Sequence, residues 1–164
     1  MNKIILADEY KRAIIESVVD GEGIRLVLFT CGCPHHCKGC HNSKTWNIEN
    51  GVETDIDILV EYLKDKFTNG RYSGITFSGG DPLFQSGELL LLIRKLKELI
   101  PDLNIWCYTG YTYEDIEELE VIKHIDVLVD GRFEEDKKFP KKLYRGSYNQ
   151  RLIRLKNSEI LKIE

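Results

Sequence analysis

Apolar residues recur with helical spacing in two long stretches of the chain. Residues 51–68 are predicted to form a helix capped by Thr54, and residues 85–100 a second helix that ends at Pro101. The apolar stripes consist of Ile56, Leu59, Val60, Leu63 and Phe67 in the first helix and of Leu89, Leu92, Ile93, Leu96 and Ile100 in the second. A shorter helix is predicted to begin at Thr112.

Short apolar runs bounded by turn residues predict strands between these helices. The runs are residues 13–19, 24–30, 74–78, 104–109 and 125–129, with a terminal hairpin at 151–155 and 159–163. Strands that alternate with loops and helices indicate a mainly parallel sheet whose functional loops follow the carboxyl ends of the strands. An eight-unit barrel needs at least about 200 residues. The 164 residues therefore predict one α/β domain, an open partial (β/α) barrel of mainly parallel strands.

The composition is that of an ordinary globular protein, with 42% hydrophobic and 30% charged residues. The net charge of −4, without a basic block, argues against binding to nucleic acid. No apolar run reaches the ~18 residues that a membrane span requires, and residues 1–9 lack the apolar core of a signal peptide. We therefore expect a cytoplasmic protein. In that compartment, clustered cysteines more often bind metal or react than form disulfides.

Four of the five cysteines lie in residues 30–42, here called the cysteine loop, directly after a predicted strand. Cys33, Cys37 and Cys40 have the spacing C-x3-C-x2-C. Cys107 lies far away in an apolar run, where a cysteine behaves as a small buried hydrophobic residue. The clustered thiols indicate a site for a soft metal.

Three kinds of site are compatible with this loop. A structural zinc ion takes four ligands, here the four cysteines or three of them with a histidine of the same loop. An electron-transfer cluster with four cysteine ligands needs Cys31 or Cys107 as the fourth, and neither spacing matches the usual ferredoxin runs. A [4Fe–4S] cluster held by Cys33, Cys37 and Cys40 alone leaves one iron open to a substrate.

A glycine-rich turn, Ser78-Gly79-Gly80-Asp81-Pro82, follows the predicted strand at 74–78. Paired glycines allow the backbone to approach a ligand closely, and their carbonyls can receive an ammonium group. The same residues also suit an ordinary strand-to-helix turn, with Asp81 near a helix N-terminus. The turn alone does not distinguish these two roles.

Together, these motifs resemble the radical S-adenosylmethionine superfamily, which combines C-x3-C-x2-C with a "GGE" element. Gly79–Asp81 looks like that element, with aspartate replacing glutamate. Asp20–Arg25, as D-G-x-G-x-R, and Cys40–Asn42 are similar to the activating enzymes of glycyl-radical proteins. Further matches, to the branch that activates anaerobic (class III) ribonucleoside-triphosphate reductase, are Trp46, Trp106 and residues 109–111, 128–133 and 145–150. The resemblance extends from Asp20 to Arg151.

The resemblance implies an oxidoreductase that cleaves S-adenosylmethionine reductively. The resulting 5′-deoxyadenosyl radical would generate a glycyl radical on the large subunit of anaerobic ribonucleoside-triphosphate reductase. A low-potential electron donor of the flavodoxin or ferredoxin type would be a second partner. Two alternatives are an activator of pyruvate formate-lyase or another glycyl-radical enzyme, and a zinc-binding module without catalysis.

The resemblance also implies roles for individual residues. Cys33, Cys37 and Cys40 would bind one [4Fe–4S] cluster per chain, with Cys31 outside the ligand set. The residues expected at S-adenosylmethionine are Gly79, Gly80 and Asp81 at the amine, Thr109 and Asp130 at the ribose or carboxylate end, and His41 at the adenine. His41 is chosen because Gly39 stands where the family usually has an aromatic residue. The residues expected to meet the partner are Asp20, Gly21, Arg25, Arg145, Asn149 and Gln150.

Overall fold

The computed structural model describes residues 2–139 and 143–164, and in these residues nine strands form one sheet. The strands are β1 (Lys3–Leu6), β2 (Ile14–Ser17), β3 (Arg25–Thr30), β4 (Val52–Asp55), β5 (Gly74–Gly79), β6 (Ile105–Tyr108), β7 (Val127–Asp130), β8 (Arg151–Lys156) and β9 (Glu159–Ile163). The α-helices are α1 (Tyr10–Ala13), α2 (Ile56–Asn69), α3 (Ser86–Leu99) and α4 (Tyr113–Ile116). Short 3-10 turns lie at Ser43–Thr45, Ile48–Asn50, Pro82–Gln85, Glu120–His124 and Glu135–Lys137.

The centre of the sheet is parallel and its flanks are antiparallel. The strand order is β4-β1-β3-β5-β6-β7-β8-β9, and β2 pairs with β3 beside β1. Strands β3, β5, β6 and β7 run parallel, and the remaining pairings are antiparallel. The carboxyl ends of the four parallel strands therefore lie along one edge, where the sequence pattern places the functional loops. The open partial barrel stays a prediction.

One face of the sheet is covered by α2 and α3. A row of paired residues crosses this face from Leu28 through Phe77 and Cys107 to Leu128, each fully buried. The predicted apolar stripes pack here: eight of their ten residues are buried, and Phe67 and Ile100 are partly buried. Burial of each large aliphatic side chain contributes about 1.5–3 kcal/mol. Helix–sheet packing thus fixes the orientation of the central strands.

The start of α2 differs from the prediction. Residues 52–55 form strand β4, which pairs with β1 through Ile4 and Thr54, so the helix begins only at Ile56. The carboxylate of Asp55 accepts hydrogen bonds from the amides of Asp57 (2.8 Å) and Ile58 (3.1 Å). The N-cap is therefore Asp55, because Thr54 belongs to strand β4 and pairs with Ile4.

The described residues between 132 and 150 have little regular structure. They contain the turn Glu135–Lys137 and an isolated bridge between Lys138 and Ser147; residues 140–142 lie outside the described residues. In the part of the chain that is described, no helix has the length and apolarity to cross a membrane.

Candidate functional site

The cysteine loop leaves the carboxyl end of β3 and is anchored by backbone hydrogen bonds. The Gly32 amide donates to the Thr45 carbonyl (2.7 Å), and the Cys33 amide donates to the Trp46 carbonyl (3.0 Å). Closer to the strand, the Cys31 amide donates to the Ile5 carbonyl of β1 (3.0 Å). The first cysteines of the loop are thereby held against the sheet and the turn at Ser43–Thr45.

Cys33, Cys37 and Cys40 are partly exposed, free thiols. Burial raises the pKa values of the Cys33 and Cys37 thiols, and the Asn42 amide donates to the Cys40 sulfur (3.4 Å). Among the described residues, no three His, Cys, Asp or Glu side chains are arranged to hold a single metal ion. A [4Fe–4S] cluster binds its thiolates at separate irons, so its ligands stand further apart. Three accessible soft donors on one loop fit such a cluster.

The other two cysteines are enclosed by protein. Cys31 is 1% exposed, and its thiol donates to the Asn47 carbonyl at 3.2 Å. Cys107 is completely buried in the row of residues beneath the helices. Burial raises the pKa of both thiols, so each is kept as a protonated thiol in the core.

The Gly79–Asp81 turn lies directly against the cysteine loop. The Gly80 amide donates to the Thr30 carbonyl, and the Asp81 amide donates to the Gly32 carbonyl, both at 2.9 Å. Gly79 has a φ of +105°, which favours glycine, and a Cβ on Gly80 would come within 2.6 Å of the Gly32 oxygen. The two motifs on which the resemblance depends therefore form one structural unit.

The Asp81 carboxylate is 1% exposed and is surrounded by donors. It accepts hydrogen bonds from His35 Nε2 (2.6 Å), Thr109 Oγ1 (2.8 Å), the Gly110 amide (2.9 Å) and the Leu83 amide (3.0 Å). Because an ionised carboxylate only accepts, His35 Nε2 carries the hydrogen. The loops that follow β3, β5 and β6 thus meet at one side chain.

A cavity of about 800 Å³ opens beside Cys37, within the size range of small-molecule sites. We call it the polar cavity. The cysteine loop contributes His35, His36 and Cys37, and the loops after β6 and β7 form most of the remaining wall. The charged residues that line it are Glu114, Asp115, Asp130, Arg132, Glu134 and Arg151. The cavity thus offers charges of both signs next to a candidate cluster ligand.

Comparisons with known proteins identify the family. The profile of a family described as "4Fe-4S single cluster domain" matches residues 19–153. A curated relative from Enterobacteria phage T4, "Anaerobic ribonucleoside-triphosphate reductase-activating protein", is 42% identical over 87% of this chain and 92% of its own length. Relatives of the same name are 39% identical in Pasteurella multocida (84% and 91% covered) and 37% identical in Escherichia coli K12 (81% and 90% covered). The chain belongs to this family of activating proteins.

In this family member, the other expected ligand residues already have protein partners. Thr109 is buried against Asp81. Asp130 accepts hydrogen bonds from Arg151 Nε (3.0 Å) and from the Tyr113 amide (2.8 Å). Hydrogen bonds to Asp130 and Glu114 raise the pKa of Arg151. Asp130 therefore lines the polar cavity with its carboxylate already paired with Arg151. Its contact with a ligand stays a prediction.

His41 is exposed, and its ring centroid lies 6.0 Å from that of Phe133. Phe133 lines the polar cavity. An aromatic ring is therefore available next to His41, but it comes from the segment after β7. Phe133 and Arg151 were not predicted as site residues, and His35 was considered only as a possible zinc ligand, because no local spacing shows that chain segments so far apart meet.

The structure corrects the expectation that Arg25 meets a partner. Its side chain is 1% exposed, and its guanidinium donates to Thr76 Oγ1 (2.9 Å), the Ile75 carbonyl (2.9 Å) and Asn104 Oδ1 (2.8 Å). It also lies 5.5 Å from the Trp106 ring. Burial lowers the pKa of Arg25 to about 10. Arg25 joins β3 to β5 and to the residue that precedes β6, and its guanidinium is buried away from any partner.

Asp20 and Arg145 border a second cavity, of about 430 Å³. Asp20 accepts a hydrogen bond from Ser17 Oγ (2.6 Å), Arg145 donates to the Glu164 carbonyl (3.1 Å), and Gly21 is buried. The cavity is also lined by Tyr108. Asp20 and Arg145 therefore remain accessible for docking, whereas Gly21 does not.

Asn149 and Gln150 stabilise the loop in which they lie. Gln150 Oε1 accepts hydrogen bonds from the amides of Gly146 (2.7 Å) and Ser147 (3.1 Å), and its Nε2 donates to the Gly131 carbonyl (3.1 Å). Asn149 Nδ2 donates to the Arg132 carbonyl (2.7 Å). These side-chain amides connect the segment before β8 to the end of β7, and docking by Asn149 and Gln150 stays a prediction. Asn149 also lines the polar cavity.

Proposed function

We propose that this protein is an iron–sulfur activase that cleaves S-adenosylmethionine reductively and generates a glycyl radical on anaerobic ribonucleoside-triphosphate reductase. The observation that carries the proposal is the contact between the three-cysteine loop and the Gly79–Asp81 turn, beside the polar cavity. The names of the relatives support the choice of reductase as the target. We propose the radical S-adenosylmethionine core, an open partial barrel, as the fold that supports this chemistry.

Cys33, Cys37 and Cys40 would hold the [4Fe–4S] cluster, leaving one iron without a protein thiolate. When bound, such a cluster supplies one electron at low potential and an open coordination site. The chain contributes the enclosure: Arg132 offers positive charge to a ligand carboxylate, beside the ion pair of Arg151 with Asp130, and Glu134 offers negative charge to a sulfonium. The polar cavity thus matches the mixed charge of S-adenosylmethionine.

The overall reaction balances with one external electron. S-adenosylmethionine and the electron give methionine and a 5′-deoxyadenosyl radical. This radical takes a hydrogen atom from a glycine of the reductase large subunit, which gives 5′-deoxyadenosine and the glycyl radical. A low-potential donor protein of the flavodoxin or ferredoxin type would supply the electron.

Cleavage of S-adenosylmethionine tests the proposal. The protein is reconstituted anaerobically with iron and sulfide and reduced with dithionite, and methionine and 5′-deoxyadenosine are quantified. Cys33→Ala, Cys37→Ala and Cys40→Ala are each expected to abolish the brown colour and the cleavage. Cys107→Ala is the matched control, because its thiol lies beneath the helices, and it is expected to keep both.

Three results would contradict the proposal. A colourless, air-stable protein that carries zinc after anaerobic purification would favour the binding module. Loss of cleavage in Cys31→Ala with retention in Cys33→Ala would show that the ligand set is wrong. A glycyl radical formed on pyruvate formate-lyase, and not on the reductase, would show that the target is pyruvate formate-lyase.

A further inference from the structure

The Asp81 carboxylate has no free position for a ligand. An ionised carboxylate offers about four lone-pair sites, and four donors already occupy this one: His35 Nε2, Thr109 Oγ1 and the amides of Gly110 and Leu83. The side chain is 1% exposed. An incoming ammonium group would have to displace one of these buried donors and leave it without a hydrogen-bond partner, which is unfavourable in the interior.

His35 is as strongly enclosed as its partner. It lies between Cys33 and Cys37 in the loop, its side chain is 3% exposed, and its ring packs edge-on against Tyr111 at 4.6 Å. The hydrogen bond to Asp81 therefore connects the middle of the C-x3-C-x2-C segment to the ends of both β5 and β6. Backbone bonds hold the loop near Gly32 and Cys33, whereas this contact holds it further along.

We propose that Asp81 and His35 form a latch that positions the cysteine loop, and that Asp81 does not bind the amine of S-adenosylmethionine. Both are positioning residues, and the amine is left to backbone carbonyls of the glycine turn. The statement about the amine rests on the proposed function, whereas the latch itself rests on the contacts of the metal-free chain.

The latch gives a reason why this chain has Asp81 where the radical S-adenosylmethionine superfamily has glutamate in its "GGE" element. The carboxylate lies 2.6 Å from His35 Nε2 and 2.9 Å from the Gly110 amide, within a closed space. One more methylene in a packed interior forces neighbouring groups to move. Asp81→Glu is thus expected to break the latch, although it restores the side chain of the family element.

The first test measures the reconstituted protein in two ways. Release of iron to a chelator is followed without S-adenosylmethionine, and affinity for S-adenosylmethionine is followed from the change it causes in the electron paramagnetic resonance (EPR) spectrum of the reduced protein. Asp81→Asn, Asp81→Glu and His35→Gln are each expected to accelerate iron release by at least about tenfold, the loss of one charge-assisted hydrogen bond. Affinity is expected to weaken in all three variants. The Asp81→Asn/His35→Gln double variant is expected to release iron as fast as either single variant. Each single substitution already breaks the same contact, the hydrogen bond between Asp81 and His35.

Direct binding of the amine by Asp81 predicts the opposite pattern. Asp81→Glu would then keep the affinity of the unmodified protein, and His35→Gln would leave both iron release and affinity unchanged. Either of these results overturns the proposal. His124→Gln makes the same substitution in the distant turn Glu120–His124 and controls for the general effect of losing an imidazole.

The second test needs no cluster. In the full-length metal-free chain, His35→Gln is expected to accelerate amide hydrogen exchange in residues 33–40 by at least about tenfold, while amides of α3 keep their rates. Unchanged exchange in the loop overturns the latch. If the unmodified protein fails to cleave S-adenosylmethionine, the proposed function fails, and this exchange measurement still decides the latch.

Discussion

At the scale of single residues, a residue that lies in a recognised motif can have a structural role. Arg25 and Asp81 both belong to sequence elements that the resemblance connects with ligands or partners, and both side chains are 1% exposed. The spacing of Cys33, Cys37 and Cys40 was visible in the sequence because all three lie in one loop. The partners of Asp81 were not, since Thr109 lies 28 positions away and His35 lies 46 positions away. A motif predicts which residues matter more readily than what each one touches.

Arg25→Lys is expected to lower the free energy of unfolding by about 3 kcal/mol. The guanidinium satisfies Thr76, the Ile75 carbonyl and Asn104 at once, and the single ammonium of lysine cannot reproduce this fork. Acceptors left unpaired in the interior cost about 1–3 kcal/mol each. Urea unfolding of the metal-free chain measures the loss. Arg94→Lys, at an exposed ion pair with Glu120, is expected to change the value by less than about 0.5 kcal/mol; equal losses in the two variants would contradict the structural role.

At the scale of elements, helices α2 and α3 and the central strands follow from periodicity. The predicted strand at 24–30 corresponds to β3, and the predicted helix at 85–100 corresponds to α3. Strands β1 and β4 were missed, because they are four residues each and are stabilised by pairing with one another across about fifty positions. Local sequence patterns do not show this pairing between distant segments. The pairing places residues 52–55 in a strand, so α2 begins later than predicted, at Ile56.

Substitutions at Thr54 and Asp55 show which of these two residues caps α2. Asp55→Ala is expected to lower the free energy of unfolding by about 1 kcal/mol, because the carboxylate satisfies two amides of the first turn. Thr54→Val retains a β-branched residue in strand β4 and is expected to be within about 0.5 kcal/mol of the unmodified protein. Chemical denaturation monitored by circular dichroism gives both values. A larger loss for Thr54→Val would place the cap at Thr54.

At the scale of the whole molecule, repeated strand–helix units predicted the parallel centre but not the antiparallel flanks. The C-terminal hairpin is joined to the segment before β3 by an ion pair in which Arg154 donates to Glu22 at 2.9 Å, and within the hairpin Arg154 also donates to Glu164 at 2.6 Å. Glu22 and Arg154 lie 132 positions apart. No sequence pattern shows such a contact, since either side chain is equally suited to solvent.

The hydrogen bond from Arg154 lowers the pKa of Glu22. A lowered folded-state pKa stabilises the protein above the ordinary glutamate value of about 4.3, and the stabilisation is lost as the pH falls through the folded value. Glu22→Gln is therefore expected to reduce stability at pH 7 by at most about 1 kcal/mol, because the pair is partly exposed. Thermal unfolding at several pH values should show the difference disappearing in acid. A difference that persists after protonation would exclude the ion pair as its cause.

Transfer of a hydrogen atom from a glycine of the reductase is the step that defines the proposed activity. The most direct test uses reductase labelled with deuterated glycine, mixed anaerobically with the reconstituted, reduced protein and S-adenosylmethionine. Mass spectrometry of the 5′-deoxyadenosine is predicted to show one deuterium gained, with a matching glycyl-radical signal in EPR. Formation of 5′-deoxyadenosine without deuterium, together with no radical on the reductase, would contradict the account.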